Sequence, residues 1–191
     1  MKRRTFIIGA PLITAGAILS YSTYKWINRN IDPDFKYLLQ SKAVLASLAD
    51  TIIPKTNSPS ASECGVHEFI IKMIIDCTET KEQNTFIQGL KEVETYSKTT
   101  YKKSFSLCLE SEQIAILNYF DQKDESLSGM AGKGQRKFLG KSFFFILKEY
   151  CIWGYFTSEQ GATQALRYAH VPGHYTACER YTEGEKAWAT N

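Results

Sequence analysis

Few residues in this 191-residue chain have the types and spacing that chemistry requires. Its three histidines are His67, His170 and His174. The last two stand at the interval used by zinc ligands on one helical face, but Pro172 and Gly173 lie between them and forbid that helix. They read as surface or hydrogen-bonding side chains. His67 beside Glu68 falls at the start of a helical pattern, where first-turn polarity explains the pair better than acid–base work does. The five cysteines, Cys64, Cys77, Cys108, Cys151 and Cys178, show neither CxxC nor CxxCH spacing, so zinc-ribbon, thioredoxin-like and covalent-haem sites have no support. In an oxidising compartment one or two disulfides could form among them; small buried hydrophobes are the equal alternative. No GxGxxG, P-loop, GxSxG or HExxH occurs. No catalytic, cofactor-binding or metal residue is therefore assigned, and no cofactor is expected in this chain. The 11 Tyr and 11 Phe speak for core and for a partner surface rather than a cofactor pocket.

Charge is divided unevenly. The chain has 23 basic and 20 acidic residues, but five bases (Lys2, Arg3, Arg4, Lys25, Arg29) and no acid lie in the first 29, so the remainder is mildly acidic. No basic cluster is dense enough for a phosphate backbone, which sets nucleic acid aside. Residues 1–30 have the layout of an export signal, with a basic start and an apolar stretch from Phe6 to Leu19 broken by Gly9, Pro11, Thr14 and Gly16. Arg3, Arg4 and Phe6 resemble the RRxF core of twin-arginine signals. No A-x-A motif follows. The apolar stretch could run on to Ile27, near the ~30 Å hydrocarbon thickness, so removal and retention as a membrane anchor both stay open.

The elements that would position any site are helical. Asp32-Pro33 predicts a helix start, and Phe35, Leu38, Leu39, Leu45, Leu48, Ile52 and Ile53 recur at helical spacing until Pro54. After a polar loop, 54–65, helices are predicted over 66–77, 81–101 and 111–120, the first with Cys77 and the last with Ile114, Leu117 and Phe120 facing inward. Residues 121–136 read as an exposed loop. The most apolar segment, 138–156, predicts a central helix wet only along a stripe of Lys137, Lys141 and Lys148, with Gly154 loosening its end. Thr157 with Gln160 has the form of a capping box opening a helix from Ser158 to Ala169, and Thr182 with Glu185 repeats it before a short helix ending near Trp188. No alternating strand pattern appears. The fold class is all-α: an irregular bundle of six or seven helices around 138–156, residues 31–191 forming one domain behind the N-terminal export or anchor helix.

Three segments in order carry a family resemblance: the leader with Arg3, Arg4 and Phe6; LADTIIPKTNSPSASECGVHEFI, residues 48–70; and GYFTSEQGATQALRYAHVPGHY, residues 154–175. Together they resemble the gluconate 2-dehydrogenase subunit 3 family, the small accessory subunit of flavin-dependent sugar and sugar-acid dehydrogenases. Glu110-Ser111 departs from the family's Thr-Pro helix start, and 80–135 matches nothing in it. The resemblance implies a non-catalytic subunit that binds a larger glucose-methanol-choline-type flavoprotein, helps it mature and lends it an export signal. It further implies FAD in that partner, a separate multihaem cytochrome c subunit as electron acceptor, passage through the twin-arginine translocase, and a periplasmic or periplasmic-face location. The corner Gly154, Tyr155, Phe156, Thr157, Ser158, Glu159 and Gly161 is expected to be a central packing joint or part of the partner interface. The alternative is a stand-alone membrane-anchored helical scaffold or binding protein of the cell envelope.

Overall fold

The computed structural model describes residues 32–126, 140–171, 173, 178, 180 and 182–189. The export-signal residues Arg3, Arg4 and Phe6, and the anchor helix expected around them, lie outside this set. Among the described residues no helix is long and apolar enough to cross a membrane.

The all-α expectation holds. The chain forms α1 (Phe35–Gln40), α2 (Lys42–Ile52), α3 (Val66–Asp76), α4 (Thr80–Tyr101), a 3-10 turn at Phe105–Leu107, α5 (Glu110–Ser126) and α6 (Phe143–Thr157). The predicted first helix is two. Ser41 interrupts it, its buried hydroxyl donating to the Tyr37 carbonyl at 2.8 Å, and the N-cap is Asp34 rather than Asp32, accepting from Tyr37 N at 3.1 Å. Serine bonding back to the preceding turn competes with the helical ladder, which accounts for the bend.

Loop 54–65 is irregular, as expected, but fastened: Asp50 Oδ1 accepts from Ser62 N at 2.7 Å, and Glu63 accepts from Ser60 N at 3.0 Å. Gly65, at φ +70°, supplies the left-handed step into α3. At the far end of α3, Cys77 is exposed rather than inward, and the buried Gln83 amide donates to the last carbonyls, Ile74 O at 2.7 Å and Ile75 O at 3.1 Å. α5 starts at Glu110 without Thr-Pro because Glu112 reaches back to accept from Leu109 N at 2.8 Å, half of a capping box. It also runs through residues 121–126, correcting the loop expected there; 127–139 fall outside the described residues. Its inward residues are Ile116, Leu117 and Phe120, and Ile114 faces out.

α6 is central. It packs against α2, α3, α4 and α5, burying Phe143, Phe144, Ile146, Leu147, Tyr150, Cys151, Gly154 and Tyr155. Phe143 meets Phe86 of α4 and Phe120 of α5 at ring separations of 5.3 and 6.2 Å, in the tilted and edge-on geometries that aromatic quadrupoles favour. The Tyr150 hydroxyl lies 2.8 Å from that of Thr78. The helix begins at Ser142, not at 138, because the Ser142 hydroxyl accepts from Phe145 N at 3.4 Å and donates to Asp124.

One predicted helix is shortened and one does not form. After Thr157 the chain turns extended at Ser158, then runs helically from Glu159 into a π-helix, Gly161–Ala165, which stops short of the expected Ala169. Beyond it Arg167 pairs with Trp188 in an isolated parallel bridge, Arg167 N donating to Ala187 O at 2.8 Å and Ala189 N to Arg167 O at 3.0 Å. Thr182 and Glu185 close a turn with Gly184 at φ +82°, and the Arg167 guanidinium lies 4.0 Å from the Trp188 ring. The Arg–Trp stack and the backbone bridge hold 185–189 extended where capping alone would have started a helix.

Candidate partner-docking surface

The corner expected as packing joint or interface divides into two sets. Gly154, Tyr155 and Gly161 are interior. Gly154 does not loosen the helix, which continues to Thr157; a Cβ there would stand 2.7 Å from the Phe69 ring, so glycine is what lets α3 and α6 approach. Tyr155 is 2% exposed and its hydroxyl donates to Pro59 O at 2.8 Å, tying α6 to the 54–65 loop. A Cβ on Gly161 would fall 1.9 Å from Tyr155 O, which fixes glycine at that position. Ser158, half-buried, donates to Tyr155 O at 2.6 Å and accepts from Gly161 N at 3.0 Å. The capping residue is thus Ser158, one position after the expected Thr157, and no reciprocal Gln160 bond forms because its third residue is Gly161.

Phe156, Thr157 and Glu159 face outward. Phe156 is 41% exposed, edge-on to Tyr155 at 5.3 Å, and Thr157 donates to Trp153 O at 2.6 Å.

The lysine stripe is not what the solvent face of α6 presents. Lys137 lies outside the described residues, and Lys141 precedes the helix, half-buried and paired with Glu149 at 2.6 Å. That carboxylate holds the Lys141 ammonium above its ordinary pKa. Lys148 alone keeps its place. Around it the exposed face carries Phe145, Ile152, Trp153 and Phe156, each 40–47% exposed. At 100° per residue Phe145, Ile152 and Phe156 fall within about 40° of one another, Trp153 and Lys148 flanking them on opposite sides. An uninterrupted apolar run concealed this stripe. The signal that could have found it is the spacing of 145, 152 and 156, which opposes that of 143, 147 and 150.

Elsewhere the described residues offer little chemistry. No three His, Cys, Asp or Glu side chains among them converge as metal ligands, and all five thiols are free, Cys108 and Cys151 buried. Burial pushes the Cys151 thiol up to about 12, with Asp50 adding to the shift, so it stays protonated and unreactive. An open groove of about 400 Å³ between α4 and α5 is lined by Lys91, Tyr96, Tyr119 and Lys123. Its lysines are engaged by Asp34 at 2.9 Å and Glu92 at 3.0 Å, and Tyr96 stacks on Tyr119 at 4.6 Å. Leu107 and Leu109, 72% and 64% exposed, form a separate apolar spot beside the 3-10 turn.

Two carboxyls outside the corner are perturbed in opposite directions. Burial raises the Asp124 carboxyl, only partly offset by the Ser142 hydroxyl and nearby Lys123. Burial also opposes ionisation of Glu94, but Lys98, the Phe105 N–H and the Ser104 hydroxyl together win, and its pKa is lowered.

Comparison with known families gives one positive result. The gluconate 2-dehydrogenase subunit 3 family matches residues 40–173, from the end of α1 through α2–α6 and the π turn. No curated protein and no solved structure matched. The match takes in the 54–65 loop, the Ser158 corner and region 80–135, where the sequence alone had offered no likeness. With most of its length matched in this way, the chain belongs to the gluconate 2-dehydrogenase subunit 3 family.

Proposed function

We propose that this chain is the non-catalytic small subunit of an exported, flavin-dependent dehydrogenase of the gluconate 2-dehydrogenase type. Family membership implies association with the other subunits of such a complex. In the proposed role the chain binds an FAD-bearing glucose-methanol-choline-type large subunit, helps it mature and carries it out of the cytoplasm on its own signal. Arg3, Arg4 and Phe6 would be read by the twin-arginine translocase, delivering the complex to the periplasm or the periplasmic face of the inner membrane, with a multihaem cytochrome c subunit as the onward electron carrier. The family match over 40–173 is the observation that carries this reading.

At the corner, Phe156, Thr157 and Glu159 are the residues free to touch a partner, while Gly154, Tyr155, Ser158 and Gly161 hold them in place. Co-expression with the large subunit tests the role. With this chain present, dye-linked dehydrogenase activity should reach the periplasmic fraction; without it, or with Arg3→Lys and Arg4→Lys together, the large subunit should stay cytoplasmic. Undiminished export and activity in the absence of this chain would overturn the proposal.

A further inference from the structure

Residues 162–169 favour a helix that the fold does not let them finish. Six of these eight, Ala162, Gln164, Ala165, Leu166, Arg167 and Ala169, are strong helix formers, and Ala162, Leu166 and Ala169 would share one face at i, i+4 and i+7. Pro172 stands too far along to stop a helix at Leu166, since its ring restricts only Val171 and the carbonyl four residues before it, at Tyr168. Yet the helical run ends with the π-helix at Ala165, and Leu166 is extended, at φ −102° and ψ 170°.

What replaces the next turn comes from the C-terminal end of the chain. Arg167 N donates to Ala187 O at 2.8 Å, and Arg167 O accepts from Ala189 N at 3.0 Å. The Arg167 guanidinium pairs with Glu185 and lies 4.0 Å from the Trp188 ring centroid. Lys186 Nζ donates to Gln164 O at 2.5 Å, one of the carbonyls that a further helical turn would use. Residues 185–189 thus form a strap across the end of the π-helix, with Arg167 as the fastening point.

The strapped and helical arrangements exclude each other. A backbone N–H is a single donor, so Arg167 N bonds either to Ala187 O or, in a continued α-helix, to Thr163 O. Local preference favours the second and the strap imposes the first, a conflict between local and tertiary signals that marks a two-state element. The strap also lies beyond the segment that the family shares: the match ends at residue 173, so 165–169 belong to it and 185–189 do not.

We infer that residues 165–169 are a conformational switch, extended while the 185–189 strap is docked on Arg167 and helical once it is released. A C-terminal segment outside the family match thereby sets the conformation of the matched stretch that follows the Ser158 corner. Release breaks the Arg167–Glu185 pair, the Arg167–Trp188 stack and the two backbone bonds of the bridge, and α-helical bonds of the local chain take their place. The inference does not depend on the proposed role in a complex.

The test follows the Cα secondary shifts of Leu166, Arg167 and Tyr168 by NMR in the isotope-labelled full chain. Wild type should give extended values at Leu166 and Arg167. A chain ending at Tyr181, and the full chain carrying Trp188→Ala with Glu185→Gln, should move all three residues to helical values. Thermal melts check that each variant keeps the fold, and the double substitution carries the reading should the truncated chain unfold. Extended or coil-like shifts in the folded double variant overturn the switch, because the strap would then not be what keeps 165–169 from the helix. Helical shifts in the wild type overturn it as well. Loss of the whole fold in both variants would make the strap a fixed part of the structure and likewise overturn the switch.

Discussion

The inner face of α6 carries Phe143, Phe144, Ile146, Leu147, Tyr150 and Tyr155; the outer face carries Phe145, Ile152, Trp153 and Phe156. By residue type the two sets are almost interchangeable. What separates them is how their surroundings are fastened. Tyr155 and Tyr150 find hydroxyl partners in the 54–65 loop and at Thr78, and Phe143 sits between two other rings. Apolar content therefore says that a helix is central, whereas placed polar contacts say which side is inward.

The strongest way to break this comparison is to truncate the best-fastened inner residue. Tyr155→Ala should cost about 3–5 kcal/mol through cavity formation, read as a fall in the urea midpoint. A loss under about 1 kcal/mol would mean that the two faces do not differ as described. Gly154→Leu, which drives a side chain into the Phe69 ring, should cost roughly 1–3 kcal/mol by overpacking and lower the thermal midpoint.

Glu94→Gln moves the test off α6 altogether. The charged carboxylate organises the turn after α4, accepting from Phe105 N at 2.9 Å and Ser104 Oγ at 2.9 Å, and the substitution should cost about 1–3 kcal/mol at neutral pH. Because its folded pKa lies below the ordinary 4.5, the stability it contributes is present above that value and lost as pH falls through the folded pKa. The gap between wild type and variant should close in acid, in urea titrations at successive pH values. Phe156→Ala should change stability by no more than about 1 kcal/mol, since the ring is partly exposed and touches the core only edge-on through Tyr155. Equal losses for Phe156 and Tyr155 would erase the distinction between the faces.

The smallest effect is expected at the entry to α6. Asp124, raised above its ordinary 3.8 by burial, favours the native state most when protonated, and that contribution fades as pH rises through 3.8 towards the folded pKa. Asp124→Asn should therefore flatten this part of the pH profile and leave stability at neutral pH equal or slightly higher, provided that the amide still accepts from Ser142. A marked loss at neutral pH would show that the ionised carboxylate is needed where α5 meets α6.

Much of the scaffold was legible in the sequence. α3 and α4 fall within a residue of their predicted ends, because Gly65 and the polar break at Cys77–Glu79 punctuate strongly periodic stretches. Legibility failed where local chemistry pointed two ways. Ser41 bends a helix that apolar spacing alone would carry straight on. Thr182 and Glu185 have the letters of a cap, but the distant partnership of Arg167 with Trp188 decides the conformation. At the candidate site the error had a single origin. Starting the central helix at 138 placed Lys141 on its face; the Ser142 cap leaves Lys141 ahead of the helix, and Lys148 stands amid aromatic neighbours.

The hydrogen bond from Tyr155 to Pro59 O joins the two most distinctive stretches of the sequence, 48–70 and 154–175, into one spatial unit. The exposed side chains at 152, 153 and 156 can be exchanged without disturbing that joint. One helix thus closes the fold with one side while the other is left open to change.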